Sequence, residues 1–196
     1  RFHLGTWRRG YTSLVLPVPG HGSVSSAALA LGLAEVLAEQ GIGELTGAIA
    51  RRALSAARLP GRCQVVEESP MVLLDGAHNP AALAGLERTL AEFFPDRAPV
   101  FLLGLVADKD RVGLPGLLAR ARRVVATTVE SPRAMSAADL ASGLGEEAGC
   151  SVACDADPVA AFDRLHRSLA PDEMLVVTGS FYLVGQIFRE RYPEMV

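Results

Sequence analysis

The sequence is poor in the residues that form cross-links and structural metal sites. It has three cysteines, Cys63, Cys150 and Cys154, which form no C-x-x-C pair and are odd in number. This usage argues against an extracellular disulfide framework and fits a reduced cytoplasmic compartment. A zinc site is not expected either, because Cys150 and Cys154 have neither a second cysteine pair nor a nearby histidine to complete four ligands.

Strong net charge and long apolar runs are also missing. The formal net charge is −3 at pH 7, so no basic field attracts nucleic acid or an acidic membrane surface. We identify no apolar run of the length that spans a bilayer, and residues 1–10 lack the apolar region of a signal peptide. The sequence begins at Arg1 instead of a methionine, which predicts an internal fragment of a longer protein. We therefore expect a cytoplasmic protein with no membrane or nucleic-acid partner.

Several catalytic motifs are absent. There is no G-x-x-x-x-G-K-[ST] phosphate loop, no G-x-G-x-x-G opening a helix, and no G-x-S-x-G elbow. Their absence argues against a P-loop, a dinucleotide-binding Rossmann motif and a serine-hydrolase site within these residues. No histidine pair stands four residues apart, so no metal ligands are predicted.

The composition that is present is that of a globular α/β protein. Of 196 residues, 49% are hydrophobic and 21% are charged, which argues against disorder. After the turn at 58–61, predicted strands alternate with predicted helices. The strands are Arg62–Glu67, Met71–Asp75, Val100–Gly104, Val124–Thr128, Ser151–Cys154 and Met174–Thr178; the helices are Ala81–Phe94, Val112–Arg120, Ala137–Ala148, Pro158–Leu169 and Phe181–Arg191. This alternation predicts a mostly parallel sheet flanked by helices on both faces.

The first 60 residues follow a different pattern. A strand is predicted at Tyr11–Val18 and a second helix at about Glu44–Ala57. Between them, a helix capped by Ser25 or Ser26 would end at Gly41 and carry the apolar face Leu29, Leu33, Val36 and Leu37. These elements are too few for a complete domain. We predict that residues 1–60 end one domain and that residues 61–196 form another with its own core.

The clearest candidate site is the junction from Asp75 to Pro80. A short apolar strand ends at Asp75, a glycine turn follows, and His78 precedes the start of a helix. Asn79 as N-cap and Pro80 as first helical residue are explained by local structure. Local structure does not explain Asp75 and His78, which lie where α/β sheets bind ligands.

Three further junctions carry polar residues. Arg62 follows Pro60-Gly61 at the predicted domain boundary, where an arginine can form a surface ion pair or reach a phosphate. Ser180 precedes a helix whose N-terminal N–H groups suit a carboxylate or phosphate. Lys109 is the only lysine among 19 basic residues. That isolation favours charge recognition, although a solvated turn between two acids is an equally good interpretation.

Four motifs, taken in their order along the chain, resemble those of a known family. They are Pro60-Gly61-Arg62, Leu74-Asp75-Gly76-Ala77-His78-Asn79-Pro80, Ala107-Asp108-Lys109-Asp110 and the run Thr178–Gly185. They are similar to the C-terminal part of bacterial folylpolyglutamate synthases, often bifunctional as dihydrofolate synthases, in the Mur ligase superfamily. The likeness extends from the helix around residues 27–31 to Gly185. It implies a Rossmann-like glutamate ligase domain at 61–196, preceded by the tail of a central ATPase domain at 1–60.

The resemblance implies an ATP-dependent ligase in the full-length protein. ATP phosphorylates a folate carboxylate, and the amine of glutamate attacks the acyl phosphate. By position, Arg62 and Asp75 contact ATP, while His78 (as the catalytic residue) and Ser180 lie near the incoming glutamate. Lys109 is not assigned by the resemblance, but it follows a strand end on the same expected rim and can meet a carboxylate of glutamate or of a folate polyglutamate tail. The P-loop, the magnesium ligands and the pterin-binding loop are expected upstream of Arg1, so the fragment alone is expected to be inactive. The implied partners are the small molecules ATP, L-glutamate and folate. The protein is expected to be a monomer.

One segment departs from the family pattern. The family usually has His-Gln and then Asn before the helix that corresponds to residues 27–31. Here His21 precedes Gly22, and Ser26 stands at the position of the expected Asn. Adenine recognition by this segment is therefore not predicted. Two alternatives stay open: a Mur-type ligase of cell-wall precursors, and a non-catalytic α/β binding module. A phosphate loop in the upstream reading frame would reject the module.

Overall fold

The chain forms two compact units, Arg1–Leu59 and Pro60–Val196. The structure, a computed structural model, describes residues 1–107, 112–148 and 152–195, with side chains of the helix ending at Ala148 described up to Gly145. Each unit buries apolar side chains of its own, in one cluster in the first unit and two in the second.

The first unit is a β-hairpin with two helices. Its elements are β1 (Phe2–Gly5), β2 (Gly10–Leu14), α1 (His21–Glu39) and α2 (Gly47–Ser55). The predicted strand Tyr11–Val18 was too long, because Pro17 and Pro19 lack the N–H that a strand needs and β2 ends at Leu14. Strand β1 was missed, since its apolar residues are only half-buried and give a weak alternation.

The predictions for α1 were wrong in its start and its face. The helix begins at His21, after Gly20 in the left-handed region at φ 102°. Leu29 and Leu33, predicted to be buried, are 77% and 62% exposed. The residues that α1 buries are Ala27, Leu31, Gly32 and Glu35. Because α1 is apolar around most of its circumference, periodicity could not identify the packed face, which is selected by small residues that let the hairpin approach.

Helix α1 is an apolar segment of membrane-spanning length, which was not expected from the sequence. Its 19 residues, with mean hydropathy 1.3, are long and apolar enough by length and composition to cross a membrane. Its polar contacts favour packing on protein instead: the buried Glu35 carboxylate accepts hydrogen bonds from Thr6 (2.9 Å) and Tyr11 (2.8 Å). Burial, assisted by the Glu35 carboxylate, raises the pKa of Tyr11 to about 12. Helices packed within globular proteins reach the same length and hydropathy, so these two properties do not assign α1 to a membrane.

The second unit contains a six-stranded sheet in the order β3-β4-β8-β5-β6-β7. The strands are β3 (Gln64–Glu68), β4 (Met71–Leu74), β5 (Ala98–Leu103), β6 (Arg123–Thr127), β7 (Val152–Asp155) and β8 (Glu173–Thr178). Among these described strands, the edge strand β3 is antiparallel to its neighbour and the other pairs are parallel. The prediction of a mostly parallel sheet is confirmed.

In the part of the chain that the structure describes, five helices cover this sheet: α3 (Pro80–Phe93), α4 (Leu114–Leu118), α5 (Ala137–Ala148), α6 (Pro158–Arg167) and α7 (Phe181–Arg191). The apolar side chains of α3, α4 and α5 pack on one face and those of α6 and α7 on the other. The Asn79 side chain accepts the N–H of Ala82 at 2.9 Å, which confirms the predicted N-cap. Helix α4 is shorter than predicted, since two glycines and a proline fall within residues 113–116.

Candidate functional site

The site lies where two neighbouring parallel strands end. Leu74 of β4 pairs with Val177 of β8, and the Asp75 N–H donates to the Val177 carbonyl at 3.0 Å. The segments that follow these strands therefore leave the same edge of the sheet. Asp75, His78 and Ser180 are therefore brought to this edge together.

A third segment, around Arg62, is tied to the same edge by backbone hydrogen bonds. The Gly76 N–H donates to the Gly61 carbonyl at 2.8 Å. The turn is sharp, with Gly61 at φ 66° and Cys63 at φ 41°. This conformation places the exposed Arg62 side chain beside the segment that carries His78.

Asp75 has an internal structural task. Asp75 is 6% exposed. Its Oδ2 atom accepts hydrogen bonds from the Cys63 N–H (2.8 Å) and thiol (3.3 Å), and its Oδ1 atom accepts one from the Ala77 N–H (2.8 Å). An ionised carboxylate has about four acceptor positions, so most are used within the protein. Asp75 thus fastens the Arg62 turn to the loop after β4, and its contact with a nucleotide stays a prediction.

The Cys63 thiol is expected to be unreactive. Burial raises its pKa well above the usual range, and the neighbouring Asp75 carboxylate raises it further. Because the thiolate is the reacting species, we expect iodoacetamide at pH 8 to modify Cys63 at least about tenfold more slowly than the exposed Cys154. Peptide mass spectrometry over time measures both rates, and equal rates would contradict this environment. Since the folded pKa exceeds the unfolded value of about 8.5, the stabilisation by Cys63 is intact below about pH 8.5 and declines above it.

His78 presents a defined tautomer. Its Nδ1 lies 2.8 Å from the Gly76 carbonyl oxygen. A carbonyl only accepts hydrogen bonds, so Nδ1 carries the proton and the neutral ring leaves Nε2 as an acceptor. The half-buried imidazole can therefore accept a hydrogen bond or a proton from an amine through Nε2.

Ser180 caps helix α7 at the edge of the sheet. Its buried hydroxyl accepts the Tyr182 N–H at 3.0 Å. Gly179, at φ 99°, turns the chain from β8 into the helix. The Ser180 hydroxyl proton and the positive end of the α7 dipole together suit a carboxylate or a phosphate.

Sequence reasoning missed Phe181, the first residue of α7. The Arg62 Cζ atom lies 4.6 Å from the centroid of its ring, and the His78 ring lies edge-on with centroids 6.1 Å apart. Gly76 packs so tightly on this ring that a Cβ there would lie 2.5 Å from two of its carbons. The available sequence signals were the glycines in two separate loops and an aromatic residue directly after an N-cap.

Lys109, with Asp108 and Asp110, lies outside the described residues, so its predicted role is not addressed by the structure. Among the described residues, no group of three or more histidine, cysteine, aspartate or glutamate side chains could hold a metal ion. The site therefore consists of one exposed cation, one imidazole acceptor and one helix N-terminus. Such an edge suits an anionic ligand beside an amine.

Comparison with known proteins identifies related sequences. Residues 61–181 match the family described as Mur ligase, glutamate ligase domain. The dihydrofolate synthase/folylpolyglutamate synthase of Mycobacterium tuberculosis is 35% identical over 144 residues, which is 71% of this chain and 29% of that protein. The UDP-N-acetylmuramyl-tripeptide synthetase of Lactobacillus acidophilus is 29% identical over 131 residues, 62% of this chain and 25% of that protein.

Solved structures show the same relationship as the related sequences. A crystal structure of a bifunctional folylpolyglutamate synthase/dihydrofolate synthase with Mn, AMPPNP and L-glutamate bound has a TM-score of 0.79 and 30% identity. The match covers 95% of this chain and 43% of that one, so the chain spans less than half the length of these relatives. Because the family match covers more than half of the residues, the chain belongs to the Mur ligase family, whose glutamate ligase domain it contains.

Proposed function

We propose that this chain is the C-terminal part of an ATP-dependent amide ligase that adds glutamate to folate, with dihydrofolate synthase activity as a second reaction of the same protein. The observation that carries the proposal is the grouping of Arg62, His78 and Ser180 at one sheet edge, within or next to the residues that match a glutamate ligase domain. Residues 1–60 are then the end of the central ATP-binding domain, and residues 61–196 form the glutamate ligase domain.

The reaction has two bond-forming steps. A carboxylate oxygen of the folate attacks the γ-phosphorus of ATP, and ADP leaves to give an acyl phosphate. The amine of glutamate then attacks the acyl carbon, and inorganic phosphate leaves as the amide forms. Positioning and charge stabilisation account for most catalysis of such phosphoryl transfers.

The residues of this chain divide these tasks by their chemistry. Arg62 is an exposed guanidinium, which suits the phosphates of ATP. The Nε2 atom of His78 accepts the proton that the glutamate amine loses as it attacks. Ser180 and the α7 N-terminus hold a carboxylate of the incoming glutamate. Asp75 contacts the nucleotide while it fastens the Arg62 turn.

Magnesium would neutralise charge on the transferred phosphate, as in other phosphoryl transfers. The described residues of this chain form no metal-binding group, so we assign its ligands to the upstream domain. We further propose that the protein is a monomer and that it is cytoplasmic; the free Cys63 and Cys154 support the cytoplasmic location.

Lys109→Ala tests the predicted contact between the only lysine and a substrate carboxylate. A partly exposed ion pair is worth about 1 kcal/mol, so we expect the KM for glutamate or folate to rise about fivefold. The melting temperature should not change, because this predicted role does not include packing. Unaltered constants for ATP, folate and glutamate would show that Lys109 has no substrate role.

A cell-wall ligase is the second candidate, favoured by the similarity to the muramyl-tripeptide synthetase. The discriminating experiment uses the polypeptide that carries this chain with its upstream ATP-binding domain. Labelled glutamate, ATP and magnesium are supplied with tetrahydrofolate, dihydropteroate or a UDP-muramyl peptide. We expect incorporation into the first two acceptors and loss of turnover in His78→Ala. Incorporation only into the muramyl peptide would overturn the folate assignment, and no ATP-dependent incorporation would favour the binding module.

A further inference from the structure

The geometry points to Phe181 as a positioning residue that sets Arg62 and His78 relative to one another. The inference rests on the proposed function, in which Arg62 contacts ATP phosphates and His78 faces the glutamate amine. Those two side chains must be placed together for the acyl phosphate and the amine to meet. Both adjoin the same aromatic ring, which belongs to a third segment of the chain.

Arg62 depends on this ring for its orientation. Among the described residues, the guanidinium has no hydrogen bond or ion pair, and its Cζ atom lies 4.6 Å from the Phe181 centroid. This distance is within the range of a cation–π interaction, which leaves the N–H donors at the guanidinium edge available to a phosphate. An exposed arginine without such a contact would sample many rotamers.

His78 adjoins the same ring. Its imidazole meets Phe181 with an interplanar angle of 68°, the edge-to-face arrangement that aromatic pairs favour. The hydrogen bond from Nδ1 to the Gly76 carbonyl supplies the second restraint. Two restraints together orient Nε2, the atom that accepts the proton in the proposed reaction.

The surroundings of Phe181 indicate more than space filling. Its side chain is 39% exposed, whereas the core residues of α7 are almost fully buried. A Cβ at Gly76 would lie 2.5 Å from ring carbons, and one at Gly61 would lie 3.3 Å from the ring. Glycines in both loops thus let one partly exposed ring touch the Arg62 turn and the His78 loop at once.

The first test is spectroscopic and needs no activity. Protons that lie over the face of an aromatic ring have NMR resonances shifted upfield. In spectra of the 196-residue chain, the Arg62 side-chain protons should therefore resonate upfield of those in Phe181→Leu. Phe181→Tyr, which keeps the ring face, should retain the shift. Phe93→Leu is the matched control, since Phe93 is a comparably exposed phenylalanine (48%) at the end of α3. Identical Arg62 shifts in wild type and Phe181→Leu would overturn the inference, whatever the protein catalyses.

The second test is kinetic and uses the full ligase. We expect Phe181→Leu to lower kcat/KM at least tenfold, Phe181→Tyr to recover most of this loss, and Phe93→Leu to match wild type. Because the ring also contacts His78, Phe181→Leu should still lower kcat/KM when Arg62 is already replaced by Gln, but by a smaller factor than in the wild-type enzyme. Full additivity, or a Phe181→Leu enzyme as active as wild type, would overturn the inference.

The two tests separate the inference from the function on which it rests. A wild-type protein without ligase activity would reject the proposed function, while the Arg62 shifts would still decide whether Phe181 orients that side chain. Circular dichroism melting of each variant identifies unfolding. Should Phe181→Leu not fold, the Arg62 side-chain shifts of wild type and Phe181→Tyr are compared with those of an arginine in an unfolded peptide, and the absence of an upfield shift in both proteins would contradict the role of the ring.

Discussion

Gly179→Ala is expected to lower the free energy of unfolding by about 3 kcal/mol. Gly179 adopts φ 99°, and an L-residue in a left-handed conformation costs about 1–2 kcal/mol. A Cβ there would lie 2.7 Å from the Gly104 carbonyl oxygen and 2.9 Å from a Leu103 methyl carbon. Overpacking of this kind typically adds about 1–3 kcal/mol, and a backbone atom cannot move aside cheaply. Urea unfolding followed by circular dichroism measures the loss.

The control for this prediction is Gly145→Ala. Gly145 is an exposed helical glycine in α5, and a Cβ there would meet no atom within 4 Å. Alanine in a helix interior is better than glycine by about 0.5–1 kcal/mol, so this variant should be slightly stabilised. If Gly179→Ala and Gly145→Ala unfolded at the same urea concentration, the result would contradict the close approach of β8 and β5 at Gly179.

Gly76→Ala is expected to lower activity strongly although Gly76 itself carries no reactive group. Gly76 does not have a positive φ, so its backbone tolerates alanine, but the new Cβ would lie 2.5 Å from Phe181 Cε1 and Cζ. The partly exposed ring can swing outward, which limits the stability loss to about 1–2 kcal/mol. That movement would release Arg62 and His78 together, and a displacement of about 1 Å in a catalytic group can cost about a hundredfold in rate. Steady-state kinetics of the full ligase should therefore show about a hundredfold lower kcat/KM.

Gly85→Ala is the matched control for Gly76→Ala. Gly85 lies in the middle of α3, nine residues further on, and a Cβ there would meet no atom within 4 Å. Activity should match wild type, with a small gain in stability from helix propensity. A Gly76→Ala enzyme with wild-type kinetics would contradict the packing of Phe181 on this loop and the proposed arrangement of the site.

Much of the second unit could be predicted because its signals are local. Strand β4 and helix α7 follow short-range hydrophobic patterns, and Asn79-Pro80 and Asp157-Pro158 mark the helix starts that the structure shows. The same reasoning failed for α1, where apolar residues surround the helix and only packing against the hairpin selects a face. It also failed at α4, where glycine and proline shorten the helix.

The sequence by itself determined the α/β class, the approximate bounds of most elements in the second unit, and the candidates Arg62, Asp75, His78 and Ser180. These depend on periodicity, capping and motif order, which act within a few residues. Only the tertiary structure decided that β8 lies between β4 and β5, and that the buried Asp75 carboxylate accepts from Cys63. It alone placed Phe181 in contact with both Arg62 and His78. Such contacts join residues far apart in the chain, and they arise from strand order and side-chain packing, which no local pattern encodes.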